Sequence, residues 1–135
     1  MTVAEVVPIG AAIVLLGDSG GNQRAQDEVA ARLSAAWSKD GVRVINASAY
    51  YAANGGQQWL ESRGHGAAAI GRHAGLRDTA ELMAVAPSGV RADKLSTGGE
   101  GADGDATAAT RDIGEALLAL KIEAAVAELR RAAAG

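Results

Sequence analysis

Two short segments of the chain combine chemically reactive side chains with glycines that bend the backbone. Residues 17–22 read Gly-Asp-Ser-Gly-Gly-Asn and residues 73–79 read His-Ala-Gly-Leu-Arg-Asp-Thr; we call them the glycine segment and the histidine segment. In the histidine segment, His73 and Asp78 are separated by a glycine bend. Such a pair can converge on one site, where the imidazole transfers protons near neutral pH and the carboxylate orients it. The alternative is that Asp78 caps the following helix and His73 is a solvated loop residue.

The glycine segment allows more than one interpretation. It stands between a predicted buried strand and a predicted helix start, where open α/β sheets bind ligands and backbone amides favour anions. Its spacing matches neither the phosphate-loop nor the dinucleotide fingerprint. The string Gly-Asp-Ser-Gly-Gly is also found at the nucleophile of chymotrypsin-like proteases, but those enzymes are all-β and disulfide-rich, whereas this chain has no Cys. Alternatively, Asp18 or Ser19 only caps the helix.

Length and composition indicate one soluble domain. A chain of 135 residues is long enough for a single ordinary domain, so we expect one over residues 1–135. The net charge of -3 and the mixing of basic with acidic residues argue against nucleic-acid binding. The lack of Cys excludes disulfides and Cys-based zinc sites. The apolar run 9–16 is too short to span a bilayer, so we expect a cytoplasmic protein without membrane association.

The hydrophobic pattern predicts a strand–helix–strand unit in the first third of the chain. Apolar residues from Ile9 to Leu16 do not alternate with polar ones, which is typical of a strand (predicted over 6–17) buried on both faces of a parallel sheet. Apolar residues at four-residue steps from Ala25 to Trp37 predict a helix that ends near Asp40–Gly41, where glycine is the usual stop signal, and residues 42–45 form a second predicted strand. Further along we predict helices over 57–62, 78–86 and 107–132 and a glycine-rich loop over 96–105.

Four ordered blocks of the sequence resemble the creatininase family of metal-dependent amidohydrolases. That family has Asn-Gly-His-Gly-Gly-Asn at the end of a central strand and, later, His-Ala-Gly-x-x-Glu-Thr. It then has a helix ending in Pro and Val-Arg, and Gly-Asp-Pro-x-x-Ala-Thr before a long final helix. The corresponding blocks here are residues 17–22, 73–79, 86–91 and 104–110. The resemblance covers about residues 12–132 and corresponds to the carboxyl-terminal half of the family.

The resemblance implies a three-layer α/β/α fold with a mostly parallel sheet, truncated at the amino terminus. It also implies two divalent metal ions, zinc or manganese, that activate water to hydrolyse a small amide or cyclic substrate. A homo-oligomer, or association with another chain, is implied as well. By position, Asp18 and Ser19 are the implied metal ligands, and His73 and Asp78 are the implied catalytic pair. The implied substrate-binding residues are Gly20, Gly21, Asn22 and Trp59, although Trp59 is explained equally well as a core residue.

The chain departs from the family pattern at three points. It has no counterpart of the amino-terminal half, whose Glu-x-His-Gly-x-His-Leu-Pro segment supplies several metal ligands. Ser19 stands where the family has a metal-binding His, and Asp78 stands where it has Glu. The leading hypothesis is therefore a hydrolase half-site that another chain, or a longer form of the native product, completes. The alternatives are a non-catalytic binding or assembly subunit of a larger hydrolase, and an α/β domain that binds an anion at the glycine segment.

Overall fold

The computed structural model describes residues 12–134 and divides into two compact units. Within the described residues, the strand unit comprises residues 12–54 and 123–134, and the helical unit comprises residues 55–122. The two units differ in architecture. The expectation of one domain over residues 1–135 stays a prediction.

The strand unit contains a parallel pair of strands joined through a helix. β1 (Ala12–Leu15) leads into α1 (Gly20–Trp37), and β2 (Arg43–Asn46) is followed by a short helix, α2 (Ala49–Ala52). β1 and β2 pair in parallel with Ala12 opposite Arg43, which confirms the predicted strand–helix–strand unit. Residues 6–11 of the predicted first strand lie outside the described residues. Gly41 ends the turn after α1 in the left-handed region at φ 69°, a conformation that favours glycine.

The Ser34 side chain links helix α1 to the backbone of β2. The Ser34 hydroxyl accepts from the Val44 amide and donates to the Val44 carbonyl, both at 2.8 Å. The backbone groups of Val44 on this edge of the sheet are therefore satisfied. β1 is less covered, since Val14 is 41% exposed and Leu16, just beyond the strand, is 55% exposed.

The helical unit is built around a small apolar core. Its helices are α3 (Gly56–Ser62), α4 (Ala67–Ile70), α5 (Leu76–Val85) and the first half of α6 (Arg111–Ala134). Because the apolar residues of these helices recur on one face, they can meet in a common cluster. The fully buried members of that cluster are Leu60, Ile70, Leu76 and Leu117.

Two further contacts join α5 to α6 within the helical unit. A β-carbon on Gly114 would lie 1.9 Å from the carbonyl oxygen of Ala80, so only glycine allows this backbone approach. Nearby in sequence, Lys121 of α6 forms a buried ion pair with Glu81 of α5. Buried charges are expensive unless they are paired, so this contact fixes which faces of the two helices meet.

The predicted three-layer fold with a mostly parallel sheet is wrong. The structure is 64% helical and, over residues 12–134, its sheet has two strands. The apolar patterns of the sequence predicted only those two strands, and the larger sheet came from the resemblance. Burial of the first strand on both faces is also wrong, because along β1 exposed residues alternate with half-buried ones.

The helix predictions for the rest of the chain are confirmed with shifted ends. α3 and α5 match the predicted helices 57–62 and 78–86, although α5 begins two residues early, and α6 matches 107–132 apart from a 3-10 turn at Ala106–Ala108. The short helices α2 and α4 were not predicted. Across the described residues, no helix has both the length and the apolar character that a membrane crossing requires.

Candidate functional site

The glycine segment connects β1 to α1 in the strand unit. Since β1 ends at Leu15 and α1 begins at Gly20, Asp18 and Ser19 lie in a loop at the carboxyl end of a parallel strand. Both side chains are exposed. Ser19 occupies the helix N-cap position with extended backbone, φ -143° and ψ 132°, but its side chain makes no capping hydrogen bond. The Ser19 hydroxyl is therefore not engaged in capping.

Two glutamines from the first turns of α1 shape this loop. The Gln23 side-chain amide donates to the carbonyl oxygens of Gly17, at 3.1 Å, and Ser19, at 3.2 Å. A β-carbon on Gly17 would lie 2.5 Å from Oε1 of Gln26. Glycine at position 17 therefore lets the end of a flexible glutamine side chain approach the backbone.

The remaining residues of the glycine segment form the first turn of α1. The Asn22 amide donates to the Ser19 carbonyl at 3.1 Å. A β-carbon on Gly20 would lie 2.8 Å from the Tyr51 hydroxyl, so the phenol group occupies the space beside the helix start. Gly21 is less restricted, because a β-carbon there would meet only the Ser19 hydroxyl, at 3.8 Å.

Three side-chain amide oxygens of the strand unit are buried without a hydrogen-bond donor among the described residues. They are Oε1 of Gln23, Oε1 of Gln26 and Oδ1 of Asn46. Asn46 is the last residue of β2, and its side-chain amide nitrogen donates a hydrogen bond to Oδ1 of Asp27 at 2.8 Å. A buried carbonyl oxygen without a donor is costly, and such oxygens readily accept N–H groups or bind hard cations. The carboxyl ends of the two strands are thus rich in acceptors.

The metal ions implied by the resemblance need a larger set of ligands than these segments supply. Zinc is held by at least three His, Cys, Asp or Glu side chains. Between residues 12 and 134, no group of three such side chains could hold a metal ion. Asp18 offers a carboxylate and Ser19 only a neutral hydroxyl. These residues do not fit a complete metal site.

The histidine segment lies in the helical unit, where its backbone is held on every side. Asp103 donates its amide to the His73 carbonyl at 2.7 Å, and its own carbonyl accepts from the His73 amide at 3.5 Å. The Ala74 amide donates to Oδ2 of Asp78 at 2.8 Å, and the Thr79 hydroxyl donates to the Ala74 carbonyl at 3.4 Å. The His73 imidazole itself is exposed. A fixed backbone thus carries an accessible imidazole.

Glycines make the contact between the two loops of this region possible. A β-carbon on Gly71 would lie 1.7 Å from the Asp103 carbonyl oxygen, and one on Gly75 would lie 2.7 Å from the same atom. Gly104 approaches Gly71 in turn, with 2.8 Å between its β-carbon position and the Gly71 Cα. Residues 69–75 and 103–105 can therefore interlock only because these three positions lack side chains.

Asp78 does not bond the imidazole that it was predicted to orient. Its carboxylate accepts from the Ala74 amide, and the His73 ring makes no hydrogen bond to any residue in the range 12–134. Asp78 lies in the first turn of α5, so it satisfies an amide just ahead of the helix, as the capping alternative suggested. The catalytic roles of His73 and Asp78 stay predictions.

Trp59 takes part in the core of the helical unit. It is half-buried and packs against the cluster that contains Leu60 and Leu76. The Arg63 guanidinium lies over its ring, 4.1 Å from the centroid, which is the geometry of a cation–π contact. These contacts favour the core interpretation, and substrate binding by Trp59 stays a prediction.

Asp105 shows the electrostatic effect of a well-satisfied carboxylate. Its Oδ1 accepts from the Thr107 hydroxyl at 2.5 Å and from the Thr107 amide at 2.9 Å. The hydroxyl contact is the main reason that the pKa of Asp105 lies below its ordinary value, with a smaller contribution from the charge of His65. Asp105 acts as the N-cap of the 3-10 turn Ala106–Ala108.

The candidate residues therefore fall into two groups. Asp18, Ser19 and the following residues to Asn22 are in the strand unit, whereas Trp59, His73 and Asp78 are in the helical unit. In comparisons with known proteins, no protein-family model matches the chain, and no curated protein or solved structure matches it. The creatininase-type resemblance thus stays a prediction that rests on the four sequence blocks.

Sequence reasoning missed the residues that hold both segments in place. Gln23 and Gln26 follow the glycine segment at helical spacing, a signal that could have placed them on one side of α1. Asp103 gave no usable signal, because it contacts His73 from 30 positions away in a loop dominated by glycine.

Proposed function

We propose that this chain takes part in the hydrolysis of a small amide or cyclic amide, as one component of a creatininase-type hydrolase that another chain completes. The metal ligands that such a reaction requires would come mainly from that other chain. Within this proposal the protein acts in the cytoplasm, either as a homo-oligomer or in association with its partner chain.

The observation that carries the proposal is the group of buried amide oxygens at the carboxyl ends of β1 and β2. Gln23, Gln26 and Asn46 each present an acceptor without a donor. The N–H groups of an amide or a cyclic amide would supply those donors once the side chains turn outward, since the oxygens themselves are buried. An anion is a poorer match, because it would meet carbonyl oxygens instead of hydrogen-bond donors.

His73 supports the chemical part of the proposal. In amide hydrolysis water adds to the carbonyl carbon, the C–N bond breaks, and the leaving nitrogen takes a proton. An exposed imidazole on a fixed backbone suits that proton transfer. We assign this proton transfer to His73, and amide binding to the glycine segment as a separate assignment within its own unit.

A binding experiment tests the assignment of the glycine segment. The full chain would be titrated with a panel of small linear and cyclic amides, followed by amide chemical shifts. We expect Gln26→Leu to weaken binding about tenfold, since a buried acceptor is lost. Gln58→Leu, at an exposed glutamine of α3, is the matched control. The proposal fails if no amide perturbs residues 17–22 or if both variants weaken binding equally.

An activity measurement tests the assignment of His73. Released amine would be measured with Zn²⁺ or Mn²⁺ added, for the chain alone and after mixing with candidate partner chains. Once an active combination is found, we expect His73→Gln to lower kcat at least about a hundredfold, as for loss of a general acid. His65→Gln is the matched control, and equal activity of the two variants would contradict the role of His73.

A second candidate function is that of a non-catalytic assembly subunit. The specific observation in its favour is the exposure of Val14 on β1 and of Leu16 just after it, because a strand edge with apolar side chains is suited to pairing with another chain. Light scattering would then give a mass above 13.5 kDa, and Val14→Lys would return the chain to a monomer. A monomeric wild-type chain would contradict self-assembly through β1.

A further inference from the structure

The backbone of Ala74 is the least relaxed part of the histidine segment. Its φ is 50°, which makes it the only described residue other than glycine with a positive φ. L-residues avoid this left-handed region because the β-carbon crowds the backbone. Such a conformation persists only where surrounding contacts hold it in place.

Those contacts use every backbone hydrogen-bonding group of His73 and Ala74. The Asp103 backbone bonds both the amide and the carbonyl of His73. The Asp78 carboxylate accepts from the Ala74 amide, and the Thr79 hydroxyl donates to the Ala74 carbonyl. Asp78 is the only charged partner of Ala74, and its bond is the shorter of the two. Its carboxylate is therefore the stronger of the two restraints on Ala74.

We propose that Asp78 is a positioning residue for His73 and acts through the Ala74 amide instead of through the imidazole. By holding Ala74 in the left-handed conformation, the Asp78 carboxylate sets the direction in which the chain leaves His73, and hence where its ring stands. Asp78 supplies a hydrogen-bond acceptor at a fixed place; its negative charge strengthens that bond, but the position of the acceptor sets the conformation. The inference rests on the proposed function only for the chemical role of His73.

Replacing Asp78 with asparagine or with alanine should therefore have different effects on the Ala74 amide. In Asp78→Asn the side-chain oxygen can still accept from the Ala74 amide, whereas in Asp78→Ala the acceptor is gone. A carboxylate acting on the ring would give the opposite pattern, because the asparagine cannot provide the charge. The comparison of Asn with Ala therefore separates backbone positioning from direct contact with the imidazole.

The test is NMR spectroscopy of the full chain labelled with ¹⁵N. In Asp78→Ala we expect the Ala74 amide proton to exchange with solvent about tenfold faster, as for loss of a hydrogen bond to a charged group. We also expect the three-bond coupling between the amide proton and Hα of Ala74 to show a return to negative φ. In Asp78→Asn we expect exchange within about threefold of the wild type and unchanged imidazole cross-peaks of His73. Asp112→Ala removes an acidic residue from the first turn of α6 and is the control for helix-start charge.

Two results would overturn the inference. One is unchanged exchange of the Ala74 amide in Asp78→Ala. The other is a shift of the His73 imidazole cross-peaks in Asp78→Asn as large as in Asp78→Ala. If Asp78→Ala does not fold, Asp78→Asn alone decides: His73 imidazole cross-peaks that shift while the Ala74 amide stays protected would overturn the inference. None of these measurements needs catalysis, so failure of the proposed hydrolase function would leave them interpretable.

Discussion

The two units of this protein hold their chemically interesting segments in different ways. In the helical unit four large apolar side chains are fully buried, an ion pair is buried with them, and glycines allow backbone to meet backbone. In the strand unit the buried apolar residues are small or β-branched. They are Ala30, Val42, Val44, Ala47 and Ala125.

The difference determines how rigidly each unit can hold its segment. Because small side chains remove little apolar area from water, the strand unit gains less stabilisation for each buried residue. Its glycine segment is held by the ends of flexible glutamine side chains, which can move at small cost. The His73 backbone is held by the backbone of Asp103, and the adjacent Ala74 amide by the Asp78 carboxylate. These groups cannot move at small cost. We therefore expect a rigid histidine and an adaptable binding loop.

Removing one partner of the buried ion pair should have the largest effect. Lys121→Met leaves the Glu81 carboxylate buried without its cation, and we expect a loss of about 3–5 kcal/mol in the free energy of unfolding. The double variant with Glu81→Leu should recover most of that loss. Arg111→Met breaks the exposed pair with Glu115 and should cost less than about 0.5 kcal/mol. Urea denaturation measures all three, and equal losses for the two single variants would contradict tight packing of the helical unit.

Alanine at two glycines compares the two segments directly. At Gly71 the new β-carbon meets the Asp103 carbonyl at 1.7 Å with φ at 66°, and we expect a loss of about 3 kcal/mol. At Gly17 it meets the mobile end of Gln26, so the loss should stay below about 1 kcal/mol. Gly66→Ala, with open space around it, is the control. Equal losses at Gly71 and Gly17 in urea denaturation would remove the distinction between rigid and adaptable segments.

Glycine at position 74 should relax the strained loop. Since glycine adopts φ 50° without crowding, Ala74→Gly should stabilise the fold by about 0.5–1 kcal/mol, after allowing for the greater freedom of glycine in the unfolded chain. Thermal unfolding would show the gain as a higher Tm. Ala68→Gly, in the short helix α4, should lower the Tm instead, and a lower Tm for Ala74→Gly would show that Ala74 is not strained.

The pH dependence of stability should contain a small contribution from Asp105. Its pKa is lowered on folding below the ordinary value of 3.8, so the folded state holds the charged form more firmly than the unfolded state does. The stabilisation is complete above pH 3.8 and is lost as the pH falls through the lower folded value. Asp105→Asn should therefore flatten the curve of unfolding free energy against pH below 3.8, measured in urea. An unchanged curve would contradict the Thr107 contact.

The sequence predicted local structure well wherever one periodic pattern covered a whole element. β1, α1 and β2 follow from apolar spacing and from the stop at Gly41, and α6 follows from its long apolar stripe. The predicted number of strands was wrong because the larger sheet was inferred from a family resemblance. No apolar run in residues 55–122 predicted a strand. Burial of β1 was misjudged because an unbroken apolar run is typical of a strand between two layers.

The site was predictable as residue types but not as contacts. His73 and Asp78 attracted attention through their spacing, yet the bond of Asp78 to the Ala74 amide depends on the left-handed turn at Ala74, which no propensity indicates for alanine. The role of Asp103 depends on a contact across a long loop. Both features belong to tertiary structure, which overrides local preference.

The order of the chain through the two units has a consequence for biosynthesis. The helical unit is one continuous stretch, whereas the strand unit is closed by the last residues made: the Glu128 carboxylate meets the Ser48 hydroxyl, 80 positions earlier. Residues 55–122 are therefore synthesised before the strand unit can be completed. Throughout that interval β1 and β2 lack the contacts of residues 123–134, so the nascent chain is exposed to wrong pairing along these strands.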